Sequence, residues 1–301
     1  MTDPIHLRRR DYNLVPQVFP NGDLGYMISS GVFQVQADLP FLYPIEIKED
    51  GYQPITEFNQ YLSNYHGAKI GLYDQKNNQM HSLFFGGISQ YYYENGEMIK
   101  DDRVPFTKNI SRVTRYSDGT YHEFLVPKEM PNLQGASAEF IPNLNLPKFE
   151  NKVIKINDIN DNDFVIGHIF GGIFSLSKNP FASNTTNTSY ADPTLYEVKL
   201  IRSEIADLPK IDGSNPFKMT VFPNPLENVL NIKYDLRKIS STNYFISDTS
   251  GKLIQSGKFT NEKIGDNTQV IDLSNFSANQ TFILTLIFDN RFYLTEKIYK
   301  K

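Results

Sequence analysis

The fold of this chain is decided by a short apolar segment, HSLFFGGI at residues 81–88, which ends in a pair of glycines. A close copy, HIFGGI, occupies residues 168–173, and a looser copy, GYMISSGVF, occupies residues 25–33. Each copy follows another short apolar segment across a polar turn. One of these turns contains Asn21-Gly22, a pair that favours tight β-hairpins. The chain therefore repeats a pair of antiparallel strands three times.

The middle copy can be followed through four short apolar segments, at residues 69–73, 80–85, 110–116 and 121–126. Four antiparallel strands in chain order are what one blade of a β-propeller requires. The same pattern predicts three approximate blades, at residues 12–55, 61–127 and 135–203. We expect the long connections between second and third strands, such as residues 89–109, to lie as loops on one face.

Glycines at the strand ends are the repeated feature of these segments. A glycine there lets two backbones approach closely or takes a positive φ. The glycines concerned are Gly31, Gly86, Gly87, Gly171 and Gly172. An apolar strand that ends in Gly-Gly, with Tyr91 a few residues later, resembles the kelch repeat of β-propellers. Kelch blades usually also carry a tryptophan, and this chain has none. Another antiparallel β-protein with glycines at its strand ends is the alternative.

The composition agrees with a β-protein and excludes several classes of site. Aromatic residues make up 13% of the chain, as 18 Tyr and 22 Phe, and aromatic residues favour strands. Cysteine is absent, which excludes disulfides, thiolate zinc sites, iron–sulfur clusters and cysteine nucleophiles. A net charge of -4, with Arg8-Arg9-Arg10 as the one basic cluster, argues against nucleic-acid binding. No run of 18 apolar residues is present, so no membrane span is predicted.

A change of character near residue 204 divides the chain. Residues 204–218 are predicted to be a linker, because they contain prolines and glycine and little hydrophobic periodicity. Six or seven short strands then fit into residues 219–301, which predicts a small antiparallel β-sandwich. The predicted architecture is all-β, with propeller blades in residues 1–203 followed by this sandwich.

The most specific motif, VFPNPLENVLNI, opens the second domain at residues 221–232. Three further segments follow it in order: DTSGKL at 248–253, IDLSN at 271–275 and KIYK at 297–300. Together they resemble the C-terminal sorting domain of the type IX secretion system of Bacteroidota. The residues that carry this resemblance are Phe222, Pro223, Asn224, Pro225, Asp248, Gly251, Lys252, Asp272, Leu273 and Lys297.

Two positions depart from the usual pattern of that family. Phe222 stands where tyrosine is commonest, and Ala278-Asn279-Gln280-Thr281-Phe282 replaces the usual Ala-Gly-x-Tyr. Asn279 tolerates the left-handed conformation, so we expect the turn to survive. Within the motif, Asn224 is expected to bond its own backbone and to close the turn between Pro223 and Pro225.

The resemblance implies export, with the type IX machinery as a partner and a place outside the cell or on its outer surface. No secretory signal opens the chain at Met1-Thr2-Asp3-Pro4. Three blades also cannot close a ring, since propellers typically have four to eight. We therefore expect these residues to be the C-terminal part of a longer protein.

No catalytic signature or cofactor motif is present, so no catalytic, cofactor-binding or metal residue is predicted. Asp158, Asn160 and Asn162 alternate oxygen ligands as calcium loops do, but the glycine and later glutamate of an EF-hand are missing. A solvated turn is the favoured interpretation, and calcium is the alternative. His81 and His168 occupy related strands, and structural roles are favoured because no third ligand repeats with them.

Two functions from different classes remain. The first is a secreted or surface-attached binding protein whose loop face holds a glycan or a surface protein. The second is a secreted glycan-active hydrolase or lyase, with catalytic residues partly on blades missing from this chain. Binding is favoured, because no cluster of acids or histidines can be assembled from these residues.

Overall fold

The computed structural model describes residues 2–179, 188–202, 208–238 and 241–301. These residues contain many strands and almost no helix, with a 3-10 turn at Ile156–Asp158, so the all-β prediction is confirmed. The chain divides into two compact units. The larger unit comprises Arg10–Val32 and Leu39–Gly213, and the smaller unit comprises Met1–Arg9, Phe33–Asp38 and Ser214–Lys301.

The first sheet of the larger unit is a four-stranded antiparallel meander in chain order. Its strands are β1 (Asn13–Val18), β2 (Leu24–Ser29), β3 (Ile45–Lys48) and β4 (Gly51–Pro54). The turn between β1 and β2 is closed by Asn21, whose side-chain oxygen accepts the Asp23 N–H at 3.1 Å. Paired residues of these two strands, such as Val15 and Met27, point into the core.

The other strands of the larger unit are, in chain order, β5 (Ala68–Asp74), β6 (Gln79–Ile88), β7 (Tyr91–Glu94), β8 (Glu97–Lys100), β9 (Phe106–Arg115), β10 (Tyr121–Glu129), β11 (Leu133–Ala136), β12 (Glu139–Pro142), β13 (Ile154–Lys155), β14 (Asp163–Phe170), β15 (Ile173–Ser175), β16 (Ser189–Ala191), β17 (Leu195–Ile201) and β18 (Lys210–Ile211). The second sheet has the order β13-β5-β6-β9-β10-β18, so it contains a second antiparallel meander, β5-β6-β9-β10. Smaller sheets follow as β12-β14-β17, β11-β15-β16 and the hairpin β7-β8. No closed barrel or ring of blades is present among the described residues, so the propeller stays a prediction.

Apolar side chains between neighbouring sheets form the core of the larger unit. Leu83 and Phe85 of β6 pack with Ile166 of β14 and Leu200 of β17. Another cluster, which includes Val15, joins the first and second sheets. Burial of such side chains is the main source of stability for an antiparallel fold of this kind.

The segment predicted as a linker, residues 204–218, is partly built into the fold. Residues 204–207 lie outside the described residues. Beyond them, β18 pairs with β10, and Leu208, Ile211 and Phe217 are buried. These three apolar side chains explain why the described part of the segment packs, although its prolines and glycine interrupt any regular pattern.

The smaller unit consists of two antiparallel sheets. Its strands are β19 (Met219–Phe222), β20 (Val229–Leu236), β21 (Thr242–Asp248), β22 (Leu253–Lys258), β23 (Gly265–Asp272), β24 (Gln280–Phe288) and β25 (Phe292–Lys300). The sheets have the orders β19-β20-β23 and β22-β21-β24-β25. One apolar core lies between them, with Leu230 and Ile232 on one side and Leu284 and Leu286 on the other. This is the arrangement of a β-sandwich.

No helix in the described part of the chain is long and apolar enough to cross a membrane.

Candidate functional site

Parts of all four motif segments lie at the same end of the smaller unit. We call this end the motif end, and it comprises residues 222–228, 248–252, 271–275 and 297–300. Strand β24 begins there, and its Gln280 pairs with Lys300 at the end of β25. Its Phe282 pairs with Asp248, the last residue of β21. Asp272 ends β23 opposite the first residue of β20. Segments far apart in sequence therefore meet at one place.

Asn224 joins the start of the motif end to β25. Its side-chain nitrogen donates to the Lys297 carbonyl at 2.8 Å, and its side-chain oxygen accepts the Tyr299 N–H at 2.9 Å. The side-chain amide of Asn224 therefore makes the two hydrogen bonds to β25 that a peptide group of a neighbouring strand would make. This corrects the expectation that Asn224 bonds its own backbone. The peptide bonds Phe222–Pro223 and Asn224–Pro225 are both cis.

Leu226 and Lys300 add further hydrogen bonds at the end of β25. We call the hydrogen bonds of residues 224–228 to β25 the clamp on β25. Leu226 donates its N–H to the Tyr299 carbonyl at 2.8 Å and accepts the Lys301 N–H at 2.9 Å. The Lys300 ammonium bonds the Glu227 carbonyl and, at 3.0 Å, the side-chain oxygen of Asn228. Residues 224–228 therefore fix the end of β25 through both backbone and side-chain hydrogen bonds.

The proline-containing part of the motif is exposed, although its neighbours are fixed. Phe222, Pro223, Asn224 and Pro225 are all exposed, whereas the following Leu226 is fully buried. The Lys233 ammonium lies 5.3 Å from the centre of the Phe222 ring. The motif end thus presents an aromatic ring and two prolines to solvent on a rigid support.

The Asp248 turn is held by its own carboxylate. The carboxylate accepts the Ser250 N–H at 2.9 Å, the Ser250 hydroxyl at 2.6 Å and the Lys252 N–H at 3.0 Å. The hydroxyl bond, together with the backbone bonds, lowers the pKa of Asp248. Gly251 has a φ of +86°, and an added Cβ would clash with the Thr2 carbonyl. Lys252 remains exposed.

Two further motif residues fix the adjoining strand end. The Asp272 carboxylate accepts the Ser274 N–H at 2.8 Å, and this bond lowers the pKa of Asp272. Leu273 is buried, and its N–H donates to the Asn228 carbonyl at 2.7 Å. The Lys297 side chain, by contrast, is exposed, and it is the backbone carbonyl of Lys297 that accepts the bond from Asn224.

Comparison with known proteins finds a family match within the smaller unit. Residues 220–300 match the family described as the secretion system C-terminal sorting domain. The match supports export through the type IX secretion system, with placement at the cell surface or outside the cell. The sorting domain also implies an interaction with the secretion machinery. No curated protein matches the chain.

In the larger unit, the repeated glycines all have positive φ. The values are +89° for Gly31, +61° for Gly86, +88° for Gly87, +71° for Gly171 and +81° for Gly172. At two of these glycines, a neighbouring backbone also lies close to the glycine. A Cβ on Gly86 would lie 2.5 Å from the Gln134 carbonyl oxygen, and one on Gly172 would lie 2.5 Å from that of Ala136.

A polar pocket of about 260 Å³ lies beside the β7–β8 hairpin, and we call it the hairpin pocket. It is lined by Tyr92, Tyr93, Glu94, Asn95, Phe106, Thr107, Lys108, Asn109, Glu129, Leu133 and Lys178. The Glu94 carboxylate bonds the Lys178 ammonium through both oxygens, at 2.5 and 2.6 Å. The same ammonium lies 4.7 Å from the centre of the Tyr92 ring.

A second, apolar cleft of about 390 Å³ opens between β10 and β17. Its walls include Leu83, Phe85, Ile110 and Val198, and Lys128 and Lys199 stand among its polar lining. The Lys199 ammonium is bonded to the Asp163 carboxylate at 2.6 Å.

The residues considered for calcium binding lie in a loop that an arginine bonds. The Arg202 guanidinium donates to the carbonyls of Ile156 and Ile159, each at 2.6 Å, in the loop that holds Asp158, Asn160 and Asn162. The calcium alternative there stays a prediction.

The two histidines lie on strands of different sheets. His81 on β6 is buried and lies 2.9 Å from the Thr114 hydroxyl, whereas His168 on β14 is half exposed, with its Nε2 4.0 Å from the Glu197 carboxylate. In the described parts of the chain, no group of three or more His, Cys, Asp or Glu residues is placed to hold a metal ion.

The hairpin pocket was missed from sequence, because residues 89–109 were expected to be a loop. Asn95-Gly96 stands between YYYE and EMIK, two short segments with apolar residues. That pair favours a two-residue hairpin turn, and it is the signal that could have revealed β7 and β8.

Proposed function

We propose that this protein is an extracellular or cell-surface binding protein, exported by the type IX secretion system of a member of the Bacteroidota. The match of residues 220–300 to the sorting-domain family is the observation that carries the proposal. It is supported by the motif end, where all four motif segments meet and where Phe222, Lys252 and Lys297 are exposed. We assign recognition by the secretion machinery to this end.

We also propose that the larger unit is built from kelch-like propeller blades. Support comes from two consecutive four-stranded meanders, β1-β2-β3-β4 and β5-β6-β9-β10, followed by the three strands β12, β14 and β17. The positive φ of the repeated glycines agrees with the need for glycine at these positions. Gly171 and Gly172 lie between β14 and β15 as expected, whereas Gly86 and Gly87 lie within β6, where its register with β9 shifts. The absence of tryptophan remains a departure from kelch blades.

Binding is favoured over catalysis by the chemistry of the hairpin pocket. Glu94 and Glu129 both line it, and a pair of carboxylates is what glycoside hydrolysis uses. Both oxygens of Glu94 are bonded to the Lys178 ammonium, which favours a structural role for this carboxylate over a catalytic one. A hydrolase or lyase is therefore the second candidate.

Export is tested with the full chain placed behind a signal peptide in a bacterium that has a type IX system. A matched chain that ends at Gly213 lacks the matched residues. We expect the full chain in the medium or on the surface and the shortened chain in the periplasm, by fractionation and immunoblotting. Retention of the folded full chain in the periplasm would contradict the proposal.

The binding role is tested on the purified full chain with a glycan array and, in parallel, with release of reducing sugar from polysaccharides. We expect retention on the array without release of sugar. Release of sugar would favour the hydrolase, and release of unsaturated products would favour the lyase. If the chain neither binds a glycan nor releases any product, both functions are contradicted.

A further inference from the structure

We propose that the hairpin pocket binds one neutral sugar unit of an extracellular glycan, an inference that rests on the proposed binding function. The pocket's volume, about 260 Å³, lies just below the range of pockets for drug-sized ligands. It therefore suits a small, compact ligand rather than a long chain.

The wall of the pocket is fixed before any ligand arrives. The Asn109 side chain is buried, accepts the Tyr93 N–H at 2.7 Å and donates to the Tyr93 carbonyl at 3.0 Å. The Glu94–Lys178 ion pair and the contact of Lys178 with Tyr92 fix the neighbouring part of the hairpin. A site of this kind loses little conformational entropy when a ligand binds.

Other polar groups remain available in the pocket. Lys108 and Glu129 line it, and within the described ranges neither side chain makes a hydrogen bond or an ion pair. A β-bulge before Glu129 places this residue opposite Asn109. Bulges are a common means of re-aiming a side chain towards a site.

The balance of charge selects the class of ligand. Glu94 and Glu129 are offset by Lys108 and Lys178, so the pocket has no net charge. Because the charges balance, neither an anionic nor a cationic ligand gains a net electrostatic attraction from the pocket. A neutral sugar offers hydroxyls that both donate and accept, and its C–H face can lie against an aromatic ring such as Tyr92. That combination matches the lining.

The test uses the full chain and a panel of neutral sugars (glucose, galactose, mannose and N-acetylglucosamine) with glucuronic acid and glucosamine as charged members. Saturation-transfer NMR identifies binders, and calorimetry measures affinity. We expect a neutral sugar to bind, and Glu129→Gln and Lys108→Met each to weaken it at least fivefold. The control Glu97→Gln changes an exposed carboxylate on the same hairpin that does not line the pocket, and it should bind as the unchanged chain does.

Circular dichroism checks that each variant is folded. Equal affinity in the unchanged chain, Glu129→Gln and Lys108→Met would overturn the site. A positive glycan array would in that case leave the proposed binding function standing. Preference for a charged sugar would also overturn the inference, because it contradicts the charge balance. Failure of every sugar in both the panel and the array would overturn the site together with the binding function.

Discussion

At the scale of single residues, Gly171 and Gly172 show two different reasons for a glycine: a left-handed conformation and close packing against a neighbouring backbone. Both residues have positive φ, at +71° and +81°. An added Cβ at Gly171 has nothing within 4 Å, whereas at Gly172 it would lie 2.5 Å from the Ala136 carbonyl oxygen and 2.6 Å from the Ala138 nitrogen. Only Gly172 therefore combines an unusual conformation with close packing of two backbones.

We predict that Gly172→Ala destabilises the larger unit more than Gly171→Ala. The left-handed conformation costs an alanine about 1 kcal/mol at either position. At residue 172 the neighbouring backbone must also move, which raises the expected loss to about 3 kcal/mol. Urea unfolding of the two variants measures the difference. Equal losses would show that conformation alone explains this glycine pair.

Two buried ionisable groups of the larger unit respond to pH in opposite directions. Burial raises the pKa of Glu123 to about 8, although its carboxylate accepts the N–H groups of Tyr61 and Leu62 at 2.7 and 3.1 Å. Burial also lowers the pKa of His81 to about 4, and the nearby Arg112 charge adds to this effect.

We predict that the contribution of Glu123 to the free energy of unfolding is full below about pH 4.5. It falls as the pH rises from there through 8, by up to about 5 kcal/mol in total. The contribution of His81 is full above about pH 6.5 and is lost as the pH falls through 4, by about 3 kcal/mol. Glu123→Gln should remove the first dependence and His81→Gln the second. Unfolding free energies at pH 4, 6 and 8 measure both. Unchanged pH profiles in these variants would contradict the assigned groups.

At the scale of elements, the clamp on β25 predicts a local effect of Asn224. Asn224→Ala removes the bonds to the Lys297 carbonyl and the Tyr299 N–H, which should cost about 1–2 kcal/mol. The loss should appear as faster hydrogen exchange of the Tyr299 amide. Asn231→Ala is the control, because it removes a bond to the Phe222 carbonyl that does not involve β25. Equal exchange in the two variants would contradict the clamp.

The element pattern also shows what local sequence can reveal. Residues 69–73 and 121–126 were predicted as strands and correspond to β5 and β10, because alternating apolar residues between turns report burial directly. The β7–β8 hairpin was missed, since its Tyr92 and Glu94 are only partly buried and leave a weak apolar signal. A short strand with polar outer residues resembles a loop in sequence.

At the scale of the whole molecule, contacts between distant segments were beyond prediction. His6 is fully buried against β24, with its Nε2 3.2 Å from the Thr285 hydroxyl, and Gln36 accepts a bond from Asn243 at 2.7 Å. These contacts place segments near the start of the chain in the same unit as the sorting domain. No periodicity or motif links such positions, so only the folded structure could reveal them. The convergence of the four motif segments was hidden for the same reason.

That convergence leads to a prediction for export of the whole chain. Lys252 and Lys297 are exposed at the motif end, whereas Lys258 and Lys263 are exposed at the opposite end of the same unit. Exposed lysines add little to stability but can orient a charged partner. We therefore expect Lys252→Ala/Lys297→Ala to leave most of the protein in the periplasm, while Lys258→Ala/Lys263→Ala is exported normally. Fractionation of cells that carry a type IX system measures both, and thermal unfolding checks that both variants fold. If the two double variants are exported equally, Lys252 and Lys297 are not needed for recognition by the secretion machinery. The exposed Phe222–Pro225 segment or another surface must then provide it.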